Sequence, residues 1–403
     1  MQSNKKSGIF FILVTILIDC IGFGIIIPIM PDLIRELTGG DLSEASRYGG
    51  LLIVAYAIMQ FISSPILGSL SDKFGRRPIL LISLFGLGVD YVFLAFAPTI
   101  TWLFFGRIFS GICGASITTA SAYIADVSEP DKRSQNFGLI GAAFGLGFII
   151  GPVIGGVFAQ FGHHVPFMIA AVLSLLNWLY GYFILPESLA INNRREFEWK
   201  RANPIGALKQ VIKHPALFGL LGSLLILYIA AQATQSIWSF YTLEKFQWNT
   251  TWVGYSLGFV GLTVAIVQGG LIRIIIPKLG NKKSIQLGLI LYVIGFAAFA
   301  FATQGWMMFL FLLPYALAGI TGPAIQGLIS KQIPANEQGE MQGIMTALMS
   351  LASIFGPLLM TNLFFYFTAK GNSIYFPGAP FLMASFLTVI AIFICNKSLR
   401  KYH

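Results

Sequence analysis

The sequence predicts an all-α membrane protein whose twelve transmembrane helices form two pseudo-symmetric six-helix bundles. Three observations lead to this fold class. Hydrophobic residues make up 56% of the 403 residues and charged residues only 10%, with a mean hydropathy of +0.77, so a water-soluble fold would lack the polar side chains to cover its surface. Apolar stretches of membrane-spanning length recur along the chain, and three short elements repeat at one fixed offset.

A helix needs about 20 predominantly apolar residues to cross the core of a bilayer, and each predicted span has about that length. The twelve candidate spans lie near residues 8–30, 48–70, 79–97, 101–124, 138–160, 166–185, 215–241, 252–275, 283–302, 305–329, 340–368 and 378–396. The first span follows a short basic segment and has no small-residue cleavage site. We therefore expect it to be retained rather than removed as a signal peptide.

The cations predict the orientation of these spans. With a cytoplasmic N-terminus, 21 lysine and arginine residues fall in the inner segments and four in the outer segments, namely Arg35, Arg47, Lys245 and Lys370. By the positive-inside rule, we expect both termini to be cytoplasmic. This distribution also accounts for the net charge of +10 without a nucleic-acid partner.

An internal repeat divides the chain into halves. Three elements recur at an offset of 205 residues: Lys73-Phe74-Gly75 with Lys278-Leu279-Gly280, Gly138 with Gly343, and Gly151-Pro152 with Gly356-Pro357. We therefore expect a six-helix bundle over 1–185, a cytoplasmic linker over 186–214 and a second six-helix bundle over 215–403. Many secondary transporters bind their substrate between such repeats, near the midplane of the bilayer.

Two acids and one cation lie deep in the predicted spans. Asp19 and Asp90 are each eleven residues into a span, which places them about 16 Å along the helix and near the middle of a core about 30 Å thick. Each acid either gains and loses a proton during transport or serves as a structural hydrogen-bonding group between helices. Arg107 in span 4 either extends to the headgroups or faces the bundle and interacts with Asp19 or Asp90. These three residues are the proton-coupling candidates.

Amide and aromatic side chains in the spans are candidates for binding a substrate. Gln60, Gln232 and Gln268 can hydrogen-bond either a substrate or a neighbouring helix, and the sequence favours neither interpretation. Trp238 and Tyr292 complete the predicted substrate-binding set.

The sequence gives little support to an enzyme or a metal protein. The four histidines lie in a predicted outer turn, in the linker and at the C-terminus, so none is near an acid or a serine inside a span. A membrane-embedded enzyme is therefore a remote alternative, and we expect no catalytic residue. The three cysteines lack metal-ligand spacing, so we expect no metal site. We also expect no cofactor. The expected coupling ion is a proton. A phosphate-binding loop sequence is also absent, which argues against ATP-driven transport.

Several motifs resemble those of a known family. The segment 68–78 (GSLSDKFGRRP) between spans 2 and 3 is similar to the signature loop of the major facilitator superfamily. Three further segments agree with that family: 19–31 (DCIGFGIIIPIMP), 106–111 (GRIFSG) and 145–156 (GLGFIIGPVIGG). The last of them is associated there with drug:proton antiporters. Nearly the whole chain resembles the twelve-helix tetracycline efflux proteins of bacteria, including 88–91 (GVDY), 122–126 (AYIAD) and 301–306 (FATQGW).

The resemblance implies the major facilitator fold and roles for two sets of residues. Asp72, Arg76, Asp126 and Arg133 would form a cytoplasmic ion-pair gate that is made in one access state and broken in the other. The alternative is that these are solvated loop charges. The second set would bend or thin span 5 where the two halves rock: Gly145, Gly151, Pro152, Gly155 and Gly156.

Two positions depart from the tetracycline efflux proteins. Tyr292 stands where these proteins carry an acid in span 9, and Val264 stands where several carry a histidine in span 8. Proton coupling is therefore predicted to rest on Asp19 and Asp90 in the N-terminal half. A cationic or metal-chelated tetracycline would lose one expected partner.

The leading hypothesis is a proton-coupled secondary active exporter, an antiporter, of amphipathic small molecules such as tetracycline-like drugs. The alternative keeps the fold but exports an endogenous metabolite or a siderophore. The expected partners are the small-molecule substrate and the lipid bilayer, with no nucleic acid, and the expected functional unit is a monomer. The expected location is the bacterial cytoplasmic (inner) membrane.

Overall fold

The computed structural model describes residues 2–114, 116–197, 217–333 and 338–400. Helices account for nearly all of them, and this part of the chain contains no β-strand. The helices are α1 (Gln2–Thr38), α2 (Leu42–Phe74), α3 (Arg76–Ala95), α4 (Ile100–Gly114), α5 (Ser116–Val127), α6 (Pro130–Phe158), α7 (His164–Ile184), α8 (Phe218–Phe246), α9 (Thr250–Ile266), α10 (Ile272–Phe301), α11 (Gly305–Ala318), α12 (Thr321–Ser330), α13 (Gln338–Thr368) and α14 (Ala379–Leu399). The predicted all-α membrane fold is confirmed.

The twelve predicted spans are present, with spans 8 and 9 joined end to end. Eleven helical stretches in the described residues are long and apolar enough to cross a membrane, and one of them, Thr250–Phe301, has 52 residues. At 1.5 Å per residue this stretch measures about 78 Å, more than twice the thickness of a bilayer core. Its backbone is non-helical at Gly280, so this residue separates span 8 from span 9.

Two glycines mark the same point in each half of the repeat. Gly75 has a φ of 103° and Gly280 has a φ of 73°. Both angles lie in the region that glycine adopts readily because it has no Cβ. The two residues are 205 positions apart, and each ends the second span of its half. The repeat predicted from the sequence is therefore visible in the backbone.

The chain folds as two compact units. The described residues of the first fall within Met1–Gly39, Ala55–Pro204 and Thr250–Gly261, and those of the second within Gly40–Val54, Ile205–Asn249 and Leu262–His403. Each unit thus includes a short segment from the opposite half of the sequence. The predicted division at 186–214 remains a prediction, because residues 198–214 lie outside the described part of the chain.

The same pairs of spans pack together in both units. In the first unit, α1 packs along α6 and α7, and α3 packs along α7 and α4. In the second unit, α8 packs along α13 and α14, and α10 packs along α14 and α11. Side chains such as Phe11 and Leu84 fill the first core, and Leu224 and Ile325 contribute to the second.

Apolar side chains also cover the outer faces of the helices. Ile82, Phe183, Ile294 and Phe393 are each more than half exposed, and they lie on spans 3, 6, 9 and 12. A water-soluble protein would pay a large hydrophobic penalty for such a surface, whereas lipid is a suitable solvent for it.

Candidate functional site

Asp90 lies in a buried polar cluster of the first unit. It is on α3 and is only 1% exposed. Ser110 of α4 hydrogen-bonds to Oδ2 of Asp90, and Nη2 of Arg107 lies 3.9 Å from the same oxygen. A carboxylate with so little water around it is costly unless it is paired. This arrangement makes Asp90 a strong candidate for a group that exchanges a proton.

Arg107 faces into the bundle rather than toward the headgroups. Its side chain is 7% exposed, which excludes the predicted alternative of extension to the membrane surface in this structure. None of the described residues accepts a hydrogen bond from its Nε or Nη2. The guanidinium can therefore move closer to Asp90 without losing a partner at those two nitrogens. Its role in proton coupling remains a prediction.

Asp19 and the Asp90 cluster have two tyrosines in common. It is half-buried on α1, and Tyr56 and Tyr91 lie within electrostatic range of both Asp19 and Asp90. Tyr91 reaches α1 because Gly22 has no side chain, since a Cβ at Gly22 would collide with the Tyr91 hydroxyl. The two acids predicted from span depth therefore share their phenol neighbours.

Gln60 is tied to neighbouring groups of the first unit. Its amide nitrogen donates to Tyr56 Oη at 3.2 Å and to the carbonyl oxygen of Gly114 at 3.4 Å. The helices α2 and α4 approach closely at Gly111, where a Cβ would lie 2.5 Å from the carbonyl oxygen of Tyr56. The structure therefore gives Gln60 a helix-linking role, and its contact with a substrate remains a prediction.

A second charged cluster surrounds Arg76 at the start of α3. Its Nη1 is 2.6 Å from Oδ1 of Asp72, and its Nε is 3.1 Å from Oδ2 of Asp126. Nη1 also donates to Ser71 Oγ at 2.6 Å. The Arg76 side chain is 10% exposed, so it is not a solvated loop charge. Three residues of the predicted gate are together, and the side chain of the fourth, Arg133, lies outside the described residues.

Glu187 completes this cluster from the segment after span 6. Its two carboxylate oxygens accept hydrogen bonds from the backbone N–H groups of Arg76, at 2.9 Å, and Arg77, at 3.2 Å. The first turn of a helix favours a negative charge because its N–H groups lack partners within the helix. Gly75 leaves room for Glu187, since a Cβ there would collide with the carboxylate.

The predicted glycine motif makes span 5 narrow. Gly151, Gly155 and Gly156 have no room for a Cβ, because backbone atoms of α1 or α9 lie within 3.0 Å of its position. Gly145 faces open space instead. Helix α6 continues without a break through Pro152. The motif therefore thins span 5 and does not interrupt it, and its part in rocking remains a prediction.

Tyr292 and Trp238 belong to an aromatic group in the second unit. The Tyr292 ring stacks on Phe296 with a centroid distance of 5.7 Å and meets Tyr315 edge-on at 5.5 Å. Trp238 is 0% exposed and meets Phe299 edge-on at 5.2 Å. Such contacts stabilise packing, so a substrate would reach Trp238 only if the aromatic group opened. The substrate roles of both residues remain predictions.

The two glutamines of the second unit differ in accessibility. Gln232 is 6% exposed, packs its side-chain carbons on Gly356 and donates to Ser353 Oγ at 3.4 Å. Gln268 is exposed and lies in a π-helical turn, Val267–Leu271, which the sequence analysis did not predict. Such turns are rare and are frequent at functional sites. Gln268 is the most accessible of the five predicted substrate-binding residues.

The sequence also matches a family as a whole. The family model of the Major Facilitator Superfamily covers residues 12–357 and 274–397. The chain belongs to the Major Facilitator Superfamily. Among its relatives, the tetracycline resistance protein, class C, of Escherichia coli is 38% identical over 364 residues, which cover 90% of this chain and 91% of that protein.

Another relative and a solved structure extend this comparison. Multidrug resistance protein 2 of Bacillus subtilis is 30% identical over 397 residues, covering 96% of this chain and 94% of that protein. The crystal structure of a bacterial homolog to the human lysosomal transporter Spinster, inward-facing and unoccupied, covers 100% of this chain and 98% of its own, with a TM-score of 0.81 and 13% identity. That likeness concerns the fold alone. The predicted family resemblance and the major facilitator fold are confirmed.

Several residues at the two clusters of this Major Facilitator Superfamily protein were missed by the sequence analysis. Ser110 lies three positions after Arg107, and Tyr56 lies four positions before Gln60, so helical periodicity could have placed each on the same face as its neighbour. Glu187 had no comparable signal, because it contacts Arg76 across 111 positions of sequence.

Proposed function

We propose that this major facilitator protein is a proton-driven exporter of amphipathic small molecules, with tetracycline-like drugs among its substrates. The observation that carries the proposal is the carboxyl group of Asp90, enclosed in span 3 beside Arg107. Binding a proton removes the cost of its buried charge, and releasing the proton restores its attraction to Arg107. The relatives named for tetracycline and multidrug resistance support a drug as the cargo.

The proposed cycle exchanges protons for substrate by alternating access. Asp19 and Asp90 take up protons from the outer side and release them to the cytoplasm. The cluster of Asp72, Arg76 and Asp126 holds in one access state and separates in the other. The excess of cations in the inner segments supports cytoplasmic termini, and we place the protein in the inner membrane of a bacterium as a functional monomer.

Everted membrane vesicles with an acidic interior test this function. We expect tetracycline to accumulate in vesicles that contain the protein and to leak out when an uncoupler removes the pH gradient. In a pump-deficient bacterium, expression should raise the inhibitory concentration of tetracycline, and a panel of amphipathic drugs would define the range. If no drug in the panel showed gradient-driven uptake, the proposal would be wrong.

A second candidate keeps the transport mechanism but changes the cargo. Tyr292, which stands at the position of an expected acid, is neutral and stacks on Phe296, so the second unit offers a cationic drug less attraction there. This favours an endogenous metabolite or a siderophore as the natural substrate. An untargeted comparison of metabolites exported with and without the protein distinguishes this candidate from a dedicated drug exporter.

Arg76→Ala is expected to slow tetracycline transport by about tenfold, the equivalent of one charge-assisted hydrogen bond. The substitution leaves Asp72 and Asp126 without their shared cation and so disfavours the access state in which the gate is made. The measurement is the initial rate of uptake into vesicles. Lys73→Ala is the matched control, because Lys73 pairs with Glu196, whose side chain is 87% exposed. Equal rates in the two variants would contradict a gate at Arg76.

A further inference from the structure

Ser110 has one hydroxyl proton but two oxygen neighbours. Its Oγ lies 2.8 Å from the carbonyl oxygen of Gly106, one turn earlier in α4, and it also hydrogen-bonds with Oδ2 of Asp90 on α3. The serine is 3% exposed. A carbonyl oxygen only accepts hydrogen bonds, whereas a carboxyl group accepts when it is ionised and can donate when it is protonated. The position of the Ser110 proton is therefore linked to the charge of Asp90.

Both contacts of Ser110 are hydrogen bonds at the same time only when Asp90 is protonated. Asp90 then donates to Ser110 Oγ, and Ser110 donates to the carbonyl oxygen of Gly106. When Asp90 is ionised, the Ser110 proton turns toward Oδ2. The Gly106 carbonyl oxygen then keeps the backbone N–H of Ser110 as its helical partner, so neither state leaves it unsatisfied. The serine proton rotates but stays on the hydroxyl.

The other charged and titratable groups around Asp90 come from several helices. Arg107 faces it from α4 at 3.9 Å, and further groups within electrostatic range are Tyr56 on α2, Tyr91 on α3 and Cys113 on α4. Asp19 on α1 acts on the same two tyrosines. Helix α7 meets α3 near this level with the uncharged Leu175, and Asp126 of α5 pairs with Arg76 at the far end of α3.

We propose that Ser110 is the positioning residue of the proton-binding carboxyl group. It accepts a hydrogen bond from protonated Asp90 and donates one to ionised Asp90, so the acid keeps a partner in both halves of the cycle. Arg107 supplies the second, purely electrostatic partner of the ionised form. The inference rests on the proposed proton coupling, but it assigns to Ser110 a task that Arg107 cannot perform, since a guanidinium has no acceptor.

Ser110→Ala removes the hydroxyl partner of both protonated and ionised Asp90, but the ionised form loses the stronger hydrogen bond. A hydrogen bond to a charged group is roughly twice as strong as one between neutral groups. Asp90 should then release its proton less readily. We expect the pH at half-maximal tetracycline exchange in proteoliposomes, measured with equal pH on both sides, to move about one pH unit toward alkaline values.

Three variants give this experiment its controls. Ser110→Thr keeps the hydroxyl and should retain the wild-type midpoint. Ser223→Ala removes a buried serine of α8 that donates to the carbonyl oxygen of Gly219 at 2.7 Å, so it reproduces the loss of a serine-to-helix bond away from Asp90. It should leave the midpoint unchanged. Asp90→Asn should remove the midpoint that belongs to Asp90, leaving only the pH dependence that Asp19 causes.

Infrared difference spectra recorded across a pH titration provide a second readout that needs no substrate. The carbonyl stretch of protonated Asp90 is the band that disappears in Asp90→Asn. This band should shift in Ser110→Ala and stay in place in Ser223→Ala, so a serine that only supports packing would not reproduce the result. Alanine favours helix, so we expect the Ser110 variant to fold.

The outcomes separate this inference from the proposed function. If Asp90→Asn removes the Asp90 midpoint while Ser110→Ala keeps both the wild-type midpoint and the wild-type band, the assignment of Ser110 is wrong and proton coupling through Asp90 stands. If Asp90→Asn keeps the wild-type pH dependence, the proposed coupling fails and the role of Ser110 fails with it. A shifted band and midpoint in Ser110→Ala, restored in Ser110→Thr, support the assignment.

Discussion

Asp90→Asn is expected to reduce gradient-driven tetracycline uptake to the level of vesicles that lack the protein, while the variant still folds. Asparagine has nearly the shape of aspartic acid, so it can occupy the enclosed site beside Ser110 and Arg107. It cannot ionise, however, and therefore cannot exchange a proton or offer Arg107 a negative charge. Transport that depends on a pH gradient should be lost, whereas tetracycline exchange without a gradient should continue.

Glu36→Gln is the control for this substitution. Glu36 is an acid on α1 whose side chain is 58% exposed and lies 3.7 Å from Nε2 of His163. Its neutralisation should leave uptake unchanged because water already screens the charge. Wild-type uptake in Asp90→Asn would show that the essential proton binds elsewhere. Loss of gradient-free exchange as well would show that Asp90 is needed for more than coupling.

Gly155→Ala is expected to lower the midpoint of thermal unfolding in detergent by several degrees and to abolish transport. A Cβ at this position would meet the backbone of Ile25 on α1, including its carbonyl oxygen. Backbone atoms cannot turn aside as a flexible side chain can, so α1 and α6 would have to separate. Overpacking of this kind typically costs about 1–3 kcal/mol.

Gly145→Ala, in the same helix and the same motif, should instead raise the midpoint of thermal unfolding. Nothing lies within 4 Å of a Cβ at Gly145, so the variant gains the better helix propensity of alanine, about 1 kcal/mol. Both proteins would be purified in the same detergent and unfolded by heating at the same rate. A Gly155→Ala variant as stable as Gly145→Ala would mean that α1 and α6 do not approach each other as closely as described.

The fold was largely predictable from the sequence because the membrane restricts backbone conformation so strongly. Every backbone polar group in lipid needs an internal partner, so an apolar stretch of sufficient length has little choice but to be a helix. The repeat at an offset of 205 residues separately paired Gly280 with Gly75, and both glycines have a positive φ in the structure.

For the candidate site, the sequence predicted only how deep each residue lies in the membrane. Counting residues placed Asp90 near the midplane, but the rotation of each helix decides whether Arg107 faces lipid or the acid, and that depends on packing between helices. Trp238 shows the same limit, since its wholly enclosed ring could not be distinguished from a cavity-lining ring by its position in a span. Glu187 was missed because its contact joins distant parts of the chain.

The π-helical turn at Val267–Leu271 changes the direction in which the side chains of span 8 point around the helix axis. An α-helix advances by about 100° per residue, and the wider turn accommodates one extra residue, so every side chain beyond it is rotated by about that angle. A single helical wheel drawn for the whole span superimposes two faces that are never aligned in the molecule. Residues before Val267 and after Leu271 therefore follow two separate helical registers, and Gln268 lies in the turn that joins them.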